Sequence, residues 1–285
     1  MKYLRGLPSE KGALDLSQPV RAVERALDIL LCFNHDELAL SLTQIADRVG
    51  MNKSTVHRLL GTLESKHFIH RSKTTGLYHL SFRFVEMASL VLQDVDLRRW
   101  AQPYLQRLAA ECGETVDLAV LDGAYVIYLQ VVESPQRVKL AAAVGQRLPA
   151  FCTASGKAFL AYLPDDRVSK ILSEGLTKYT DYTQVSLAEV YEDLRITRER
   201  GFAISEQEYE NDINAVAAPI LNTDGTPVAV IAVAGPSYRL PRERLMTLGQ
   251  SIRATTDVIA REMGLATLSA FVSNTVAAGN ARQSK

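Results

Sequence analysis

Residues 41–64, SLTQIADRVGMNKSTVHRLLGTLE, constrain this chain more tightly than any other stretch. Ser41 and Gln44 have the spacing of a capping box, in which the hydroxyl accepts from an amide three residues on and Gln44 reaches back. Leu42, Ile45, Ala46 and Val49 then recur at helical intervals, so they form one apolar face. Gly50 can take the positive φ that ends a helix. A second helix is expected from about Lys53, capped by Asn52 or Ser54, with Val56, Leu59, Leu60 and Leu63 as its inner face. Two short helices joined by a glycine turn, with apolar inner faces, make a helix-turn-helix, and Ala46 is small enough to let them approach closely. Residues 68–71 and 77–80 follow as short strands joined by SKTTG. A hairpin in that position is a wing, carrying Arg71 and Lys73 at its tip.

Burying Val56, Leu59, Leu60 and Leu63, at about 1.5–3 kcal/mol each, fixes which side of the second helix stays outside. Ser54, Arg58 and Thr62 lie at i, i+4 and i+8 there, with Thr55 beside them. Hydroxyls suit phosphate oxygens or base edges, and Arg58 can contact guanine bidentately. Lys53, at the positive end of the helix, suits a phosphate. His57 lies next to the core residue Val56, which favours a phosphate contact or packing on the flank over base readout. The chain as a whole has 32 basic and 32 acidic residues, so net charge says nothing about nucleic acid. Its distribution does: residues 48–73 carry six basic side chains and one acidic one, Glu64, whereas residues 96–285 carry 20 basic and 22 acidic. A local basic patch around a capped helix pair points to double-stranded DNA. A solvated charged face on a three-helix packing unit is the alternative.

Around this unit the pattern predicts an α+β protein. Residues 1–18 have no periodicity and read as a flexible tail. A helix follows Pro19, with Val23, Ala26, Leu27 and Leu30 on one face. The winged helix-turn-helix is expected over residues 19–82 and a connector helix over 83–96. Asp96 can cap the next helical segment, and Pro103 argues for a break or kink. Over 97–266, two β-rich runs meet at Asp122-Gly123 and two more at Asp224-Gly225, each a hairpin signal. RVKLAAAV, residues 137–144, reads as a strand. TASGKAFLAYL, LAEVYEDLRITRERG and PRERLMTLGQSIRATTDVIAREMG read as helices, giving an antiparallel sheet with helices on its faces. Residues 267–285 read as a second flexible tail. No apolar run approaches the roughly 18–20 residues that span a bilayer, and the N-terminus lacks a signal-peptide core, so a cytoplasmic protein with no membrane partner is expected.

Catalytic constellations are weak. Gly156-Lys157 hints at a phosphate loop, but Phe151 stands where such a loop needs glycine and Ala158 where it needs Ser or Thr. Cys152 has no histidine after His79 in the sequence to activate it. Glu206, Glu208, Glu210 and Asp212 form an acidic run that reads as a charged loop, with an oxygen-ligand metal site as the alternative. His67, His70 and His79 fall in the wing, where a solvated or phosphate-facing role is favoured over metal binding. Cys32, Cys112 and Cys152 are too scattered for a disulfide framework or zinc site. Neither an enzyme nor a cofactor is expected.

RAVERALDILLCF, LSLTQIADRVGMNKSTVHRLLGTLE and GLYHLSFRFVEMASL resemble the N-terminal winged helix-turn-helix of IclR-type bacterial transcription regulators. GETVDLAVLDGAYVIYLQVVES, VGQRLPAFCTASGKAFLAYL, RERGFAISEQEYENDINAVAAPI and VAVIAVAGP resemble that family's effector-binding domain. The resemblance runs over roughly residues 20–265. It implies a GAF-like second domain, a homodimer or dimer of dimers, and operator binding controlled by a small molecule, often an organic acid. Carried over position by position, it places Leu140, Ala154, Ser155, Ser205, Ile213, Ala215, Ala232 and Ala234 on the effector pocket. The helix opening at Ala154 and Ser155 suits a carboxylate.

Small-acid binders of the family often have an acidic residue where this chain has Ser205, a cysteine or serine at Ala215, and serines at Ala232 and Ala234. A polar ligand group facing these methyls would lose hydrogen bonds, at about 1–3 kcal/mol each. The expectation is therefore an acid with an apolar or aromatic body. In the alternative, these alanines are simply hairpin core. A small-molecule sensor acting mainly through a protein partner remains the other functional reading.

Overall fold

The computed structural model describes residues 20–34, 37–93 and 97–265. Both expected tails, residues 1–18 and 267–285, and the expected cap at Asp96 lie outside the described residues. The chain divides into two compact units, residues 1–96 and 97–285.

In the first unit, α1 (Arg21–Leu31) precedes β1 (Ala39–Leu40), α2 (Leu42–Arg48), α3 (Lys53–Ser65), β2 (Ile69–Arg71), β3 (Tyr78–Leu80) and α4 (Arg83–Gln93). The capping box forms: Ser41 accepts from the Gln44 amide at 3.2 Å, and Gln44 Oε1 accepts from the Ser41 amide at 2.9 Å. Gly50 takes φ 61°, which lets the chain turn from α2 into α3 at no steric cost. Ile45 and Ala46 on α2 and Val56, Leu60 and Leu63 on α3 close on Ile29, Leu40, Ile69 and Tyr78, while Leu59 is half-buried at the margin. The β2–β3 hairpin is joined by β1, which the sequence pattern did not indicate, giving the order β1-β3-β2. On α1 the expected inner face is displaced: Ile29 is buried and Ala26 and Leu30 are half-buried, but Val23 and Leu27 are exposed. Ile29, rather than Val23 and Leu27, reaches the core that α3 presents.

In the second unit, α5 (Leu97–Cys112) leads into β4 (Thr115–Asp122), β5 (Tyr125–Val132), β6 (Arg147–Pro149), α6 (Ala154–Leu160), α7 (Asp165–Leu172), α8 (Leu187–Arg200), β7 (Ala203–Glu206), β8 (Ile213–Leu221), β9 (Pro227–Pro236) and α9 (Arg242–Glu262). The strands form one antiparallel sheet in the order β6-β5-β4-β9-β8-β7, so the two expected hairpins meet along β4 and β9. Pro103 does not break α5, which runs through it. Its missing hydrogen bond is offset by burial of Ala101, Leu105, Leu108 and Ala109 along the same helix. The strand expected at 137–144 is a loop. Of this region only Arg147–Pro149 pairs with β5, and Arg239 donates to the Val138 carbonyl at 2.9 Å.

Strand alternation gives the sheet two unlike faces. Val116, Leu118, Ile204, Val216, Ile231 and Val233 point one way, toward the side where Phe202 meets α9 at Gly249. Asp117, Ala119, Ser205, Ala215, Ala217, Ala232 and Ala234 point the other way, toward α6. Along α6, Ala154, Ala158 and Phe159 pack onto this small-residue face. The same face also borders a cavity, lined in part by Asp117, Ser205, Ala215, Ala232 and Ala234.

Candidate functional site

On the first unit, α3 presents Lys53, Ser54, His57, Arg58 and Thr62 to solvent, while Thr55 is half-buried. Lys53, Arg58 and the wing residue Lys73 have no ion pair or side-chain hydrogen bond among the described residues. Thr62 donates to the Arg58 carbonyl at 3.1 Å, so its hydroxyl proton is already engaged. Arg71 is held inside the wing: its Nε donates to the Gly76 carbonyl at 2.9 Å, and its guanidinium lies 5.5 Å from the Tyr78 ring centroid. The Glu64 carboxylate accepts from the Arg71 amide at 3.0 Å, tying the wing to α3. One face therefore carries a row of free donors on a helix whose opposite side is anchored in the core.

On the second unit, all eight residues carried over from the resemblance lie on the wall of one cavity, with about 550 Å³ of empty space including its open mouth. Three parts of the fold build it. Ser205, Ala215, Ala232 and Ala234 form its floor from neighbouring strands. Thr153, Ala154 and Ser155 come from the start of α6, and Leu140, Ala141 and Ala142 from the loop that replaces the expected strand. Thr153 caps α6, accepting from the Gly156 amide at 3.3 Å and donating to the Pro149 carbonyl at 2.8 Å. Ser205 donates to the Cys152 carbonyl at 3.2 Å, which fixes the loop entering α6 and engages that hydroxyl proton.

Sequence reasoning missed several lining residues, among them Tyr128, Gln146, Tyr209, Glu210 and, above all, Asp117. Asp117 is 1% exposed, and neither carboxylate oxygen has a hydrogen-bond partner. Burial alone pushes its carboxyl well above the usual carboxylate range. Burial likewise raises the Tyr128 phenol, with the nearby Asp117 charge adding to the effect. The signal was present in TVDLAVLD, where an acidic residue interrupts an otherwise apolar strand at an inward position. Among the described residues, no Lys, Arg or His lines the cavity.

The groups that suggested chemistry have other work. Gly156 permits close packing: a Cβ there would sit 2.1 Å from the Ala150 carbonyl oxygen. Lys157 is fully buried and bridges Asp193 at 2.6 Å and Glu208 at 2.5 Å. Burial opposes its charge, but the two carboxylates outweigh burial and hold its pKa up. Cys152 is buried, and burial pushes its thiol up to about 12, so it stays protonated at neutral pH. The acidic run disperses: Glu206 pairs with Arg242, Glu208 with Lys157, and Glu210 stands exposed on the cavity wall. Among the described residues no cluster of His, Cys, Asp and Glu is disposed to hold a metal ion, and no helix is long and apolar enough to cross a membrane.

A winged helix-turn-helix unit followed by a separate sheet unit with a cavity on one face fits a transcription regulator with a sensing domain. Comparison with known proteins agrees. The IclR helix-turn-helix domain matches residues 22–73, and the bacterial transcriptional regulator IclR C-terminal domain matches residues 89–261. The chain is 31% identical over 248 residues to the HTH-type transcriptional regulator XynR of Escherichia coli K12, spanning 86% of this chain and 98% of XynR. It superposes on the crystal structure of Thermotoga maritima IclR with a TM-score of 0.70 at 27% identity, covering 86% of this chain and 100% of that one. An IclR homolog from Microbacterium hydrocarbonoxydans complexed with 4-hydroxybenzoate shares the fold, with a TM-score of 0.73 at 23% identity over 85% of this chain and 99% of that one. The chain belongs to the IclR family of bacterial transcriptional regulators.

Proposed function

We propose that this regulator reads its operator through α3 and the wing, and is switched by a small organic acid with an apolar or aromatic body. Ser54, Thr55 and Arg58 meet base edges, while Lys53, His57, Thr62, Arg71 and Lys73 meet phosphates or flank them. The effector occupies the cavity between Leu140, Ala154, Ser155, Ser205, Ile213, Ala215, Ala232 and Ala234, with its acid end toward Ala154 and Ser155. The observation that carries this reading is that these eight residues share one cavity with a methyl-rich floor.

The protein acts from the cytoplasm by binding rather than catalysis, as a homodimer or dimer of dimers whose paired recognition helices match a pseudo-palindromic operator. An exposed stripe of Val23, Leu27 and Leu31 on α1, 53–80% exposed, supports pairing with a second copy. Effector binding shifts the balance between DNA-competent and incompetent arrangements, so effector and operator affinities are reciprocally linked.

A thermal-shift screen of organic acids tests the effector class. Aromatic or medium-chain acids should stabilise the protein and alter its gel shift on DNA from its own upstream region. Stabilisation confined to glyoxylate- or pyruvate-sized acids would overturn the apolar-body reading. A protein that senses such acids without shifting any upstream DNA would instead act through a protein partner.

A further inference from the structure

We propose that the effector carries a hydrogen-bond-donating group, a hydroxyl or an amine, on the end that enters the cavity, and that Asp117 receives it. The proposal rests on the effector reading of the cavity given above and adds the chemistry of the ligand's inner end.

Asp117 sits on β4 with Val131 of β5 and Ala232 of β9 as its cross-strand neighbours, neither of which can donate. It shares a sheet face with Ala119, which packs into the core with α6, and with Ala232 and Ala234, which line the cavity. The fold thus aims a carboxyl into the cavity and gives it no partner. Elsewhere this unit satisfies its buried acids. Both oxygens of Glu114, 1% exposed, accept from Arg239, at 2.6 and 2.7 Å. Glu208 leaves one oxygen unpaired but gives the other to Lys157, and Asn214 leaves Oδ1 unpaired while its Nδ2 donates to Leu240. Asp117 alone among the described residues leaves both oxygens of a buried carboxyl unpaired. A buried unpaired group costs stability in the free protein, and a ligand donor removes that cost on binding.

Charge narrows the class further. Among the described residues, the carboxylic acids on the wall are Asp117 and the exposed Glu210, and no cationic side chain joins them. A ligand carboxylate placed against Asp117 would have to share a single proton with it, since no cationic side chain among the described residues offsets a second charge there. The ligand's acid end therefore lies away from Asp117, and the group facing Asp117 is a donor. Burial keeps the Asp117 carboxyl raised, which suits a hydroxyl, since a neutral carboxyl accepts through its carbonyl oxygen and can donate through the other. An amine would instead take the proton and leave a buried ion pair.

Isothermal titration calorimetry on the full chain with 3-phenylpropanoate, 3-(4-hydroxyphenyl)propanoate and 4-(aminomethyl)benzoate separates these cases. The wild-type protein should bind at least one donor-bearing probe about tenfold or more tightly than 3-phenylpropanoate. Asp117→Leu should erase that preference. Asp117→Asn should keep it for the hydroxyl probe and lose it for the amine. Equal binding of all probes by wild type, or a preference that survives in Asp117→Leu, would overturn the role of Asp117 while leaving the cavity reading intact. Undiminished binding by Ala232→Phe, which fills the cavity, would overturn the cavity reading itself. Melting of the ligand-free variants needs no ligand: Asp117→Leu should raise the midpoint by a few degrees. A lowered midpoint would show that Asp117 holds the fold, and would overturn the proposal even if no probe bound.

Discussion

Lys157 and Asp117 are both buried ionisable groups in the second unit, and the fold treats them oppositely. Lys157 lies on α6 between two carboxylates at 2.5 and 2.6 Å. Asp117 lies on β4 beside a cavity, with both oxygens unpaired. Burial opposes the charge of each, but only Lys157 is given counter-charges that overcome it. The difference separates two uses of a buried charge. The Lys157 cluster ties α6 to α8, through Asp193, and to the segment after β7, through Glu208. Asp117 has no such tie among the described residues. The same contrast extends to α3, where Lys53 and Arg58 are unpaired in water; there, unlike at Asp117, an unpaired charge costs almost nothing.

The largest expected effect tests the Lys157 half of the contrast. Lys157→Met leaves Glu208 buried without its counter-charge and should cost about 3–5 kcal/mol in urea unfolding. A cost under about 1 kcal/mol would mean that the bridge does not hold the fold, and the contrast would collapse. Next comes the exposed side. Arg58→Ala should cost about 1–3 kcal/mol of operator discrimination in a gel shift while leaving the melting midpoint in place. Unchanged specific binding would show that Arg58 reads no base.

A pH series sharpens the Asp117 half. The folded carboxyl is raised, while the unfolded one titrates near its ordinary value of about 3.9. The folded state therefore binds more protons, and its stability is greatest below that unfolded value. Stability should fall as pH rises from there through the folded pKa. Asp117→Leu should lack this component, so the gap between its midpoint and that of wild type should widen by a few degrees from acid to neutral pH. A gap independent of pH would mean that the carboxyl is not raised. The smallest effect is on salt dependence. Lys53→Ala should weaken binding to all DNA sequences by under about 1 kcal/mol, and should lower the slope of log affinity against log salt by about one.

The first unit was largely legible because its signals are local. The Ser41–Gln44 box, the Gly50 turn and the spacing of Val56, Leu60 and Leu63 each act within a few residues, and each has its expected counterpart in the structure. Where partners lie far apart in sequence, legibility failed. Val23 and Leu27 kept the right spacing but not the burial, because Ile29 is the residue that meets the α3 core. Pro103 is tolerated because its helix is held by packing, and residues 137–144 form a wall rather than a strand, with Arg239, about a hundred residues on, donating to the Val138 carbonyl. The eight cavity positions came from family resemblance, not from periodicity, and Asp117 was passed over although its acidity broke an apolar run.

By itself, then, the sequence determined the recognition helix, its anchored face, its turn and the two hairpins, since caps, glycine turns and apolar periods are set by neighbouring residues. Only the tertiary structure decided that Ala215, Ala232 and Ala234, while packing at the buried core, also floor a cavity, and that Asp117 faces it with no partner among the described residues. Whether a buried acid is paired depends on what the other strands and helices bring within about 3 Å of it, and no local pattern records that distance.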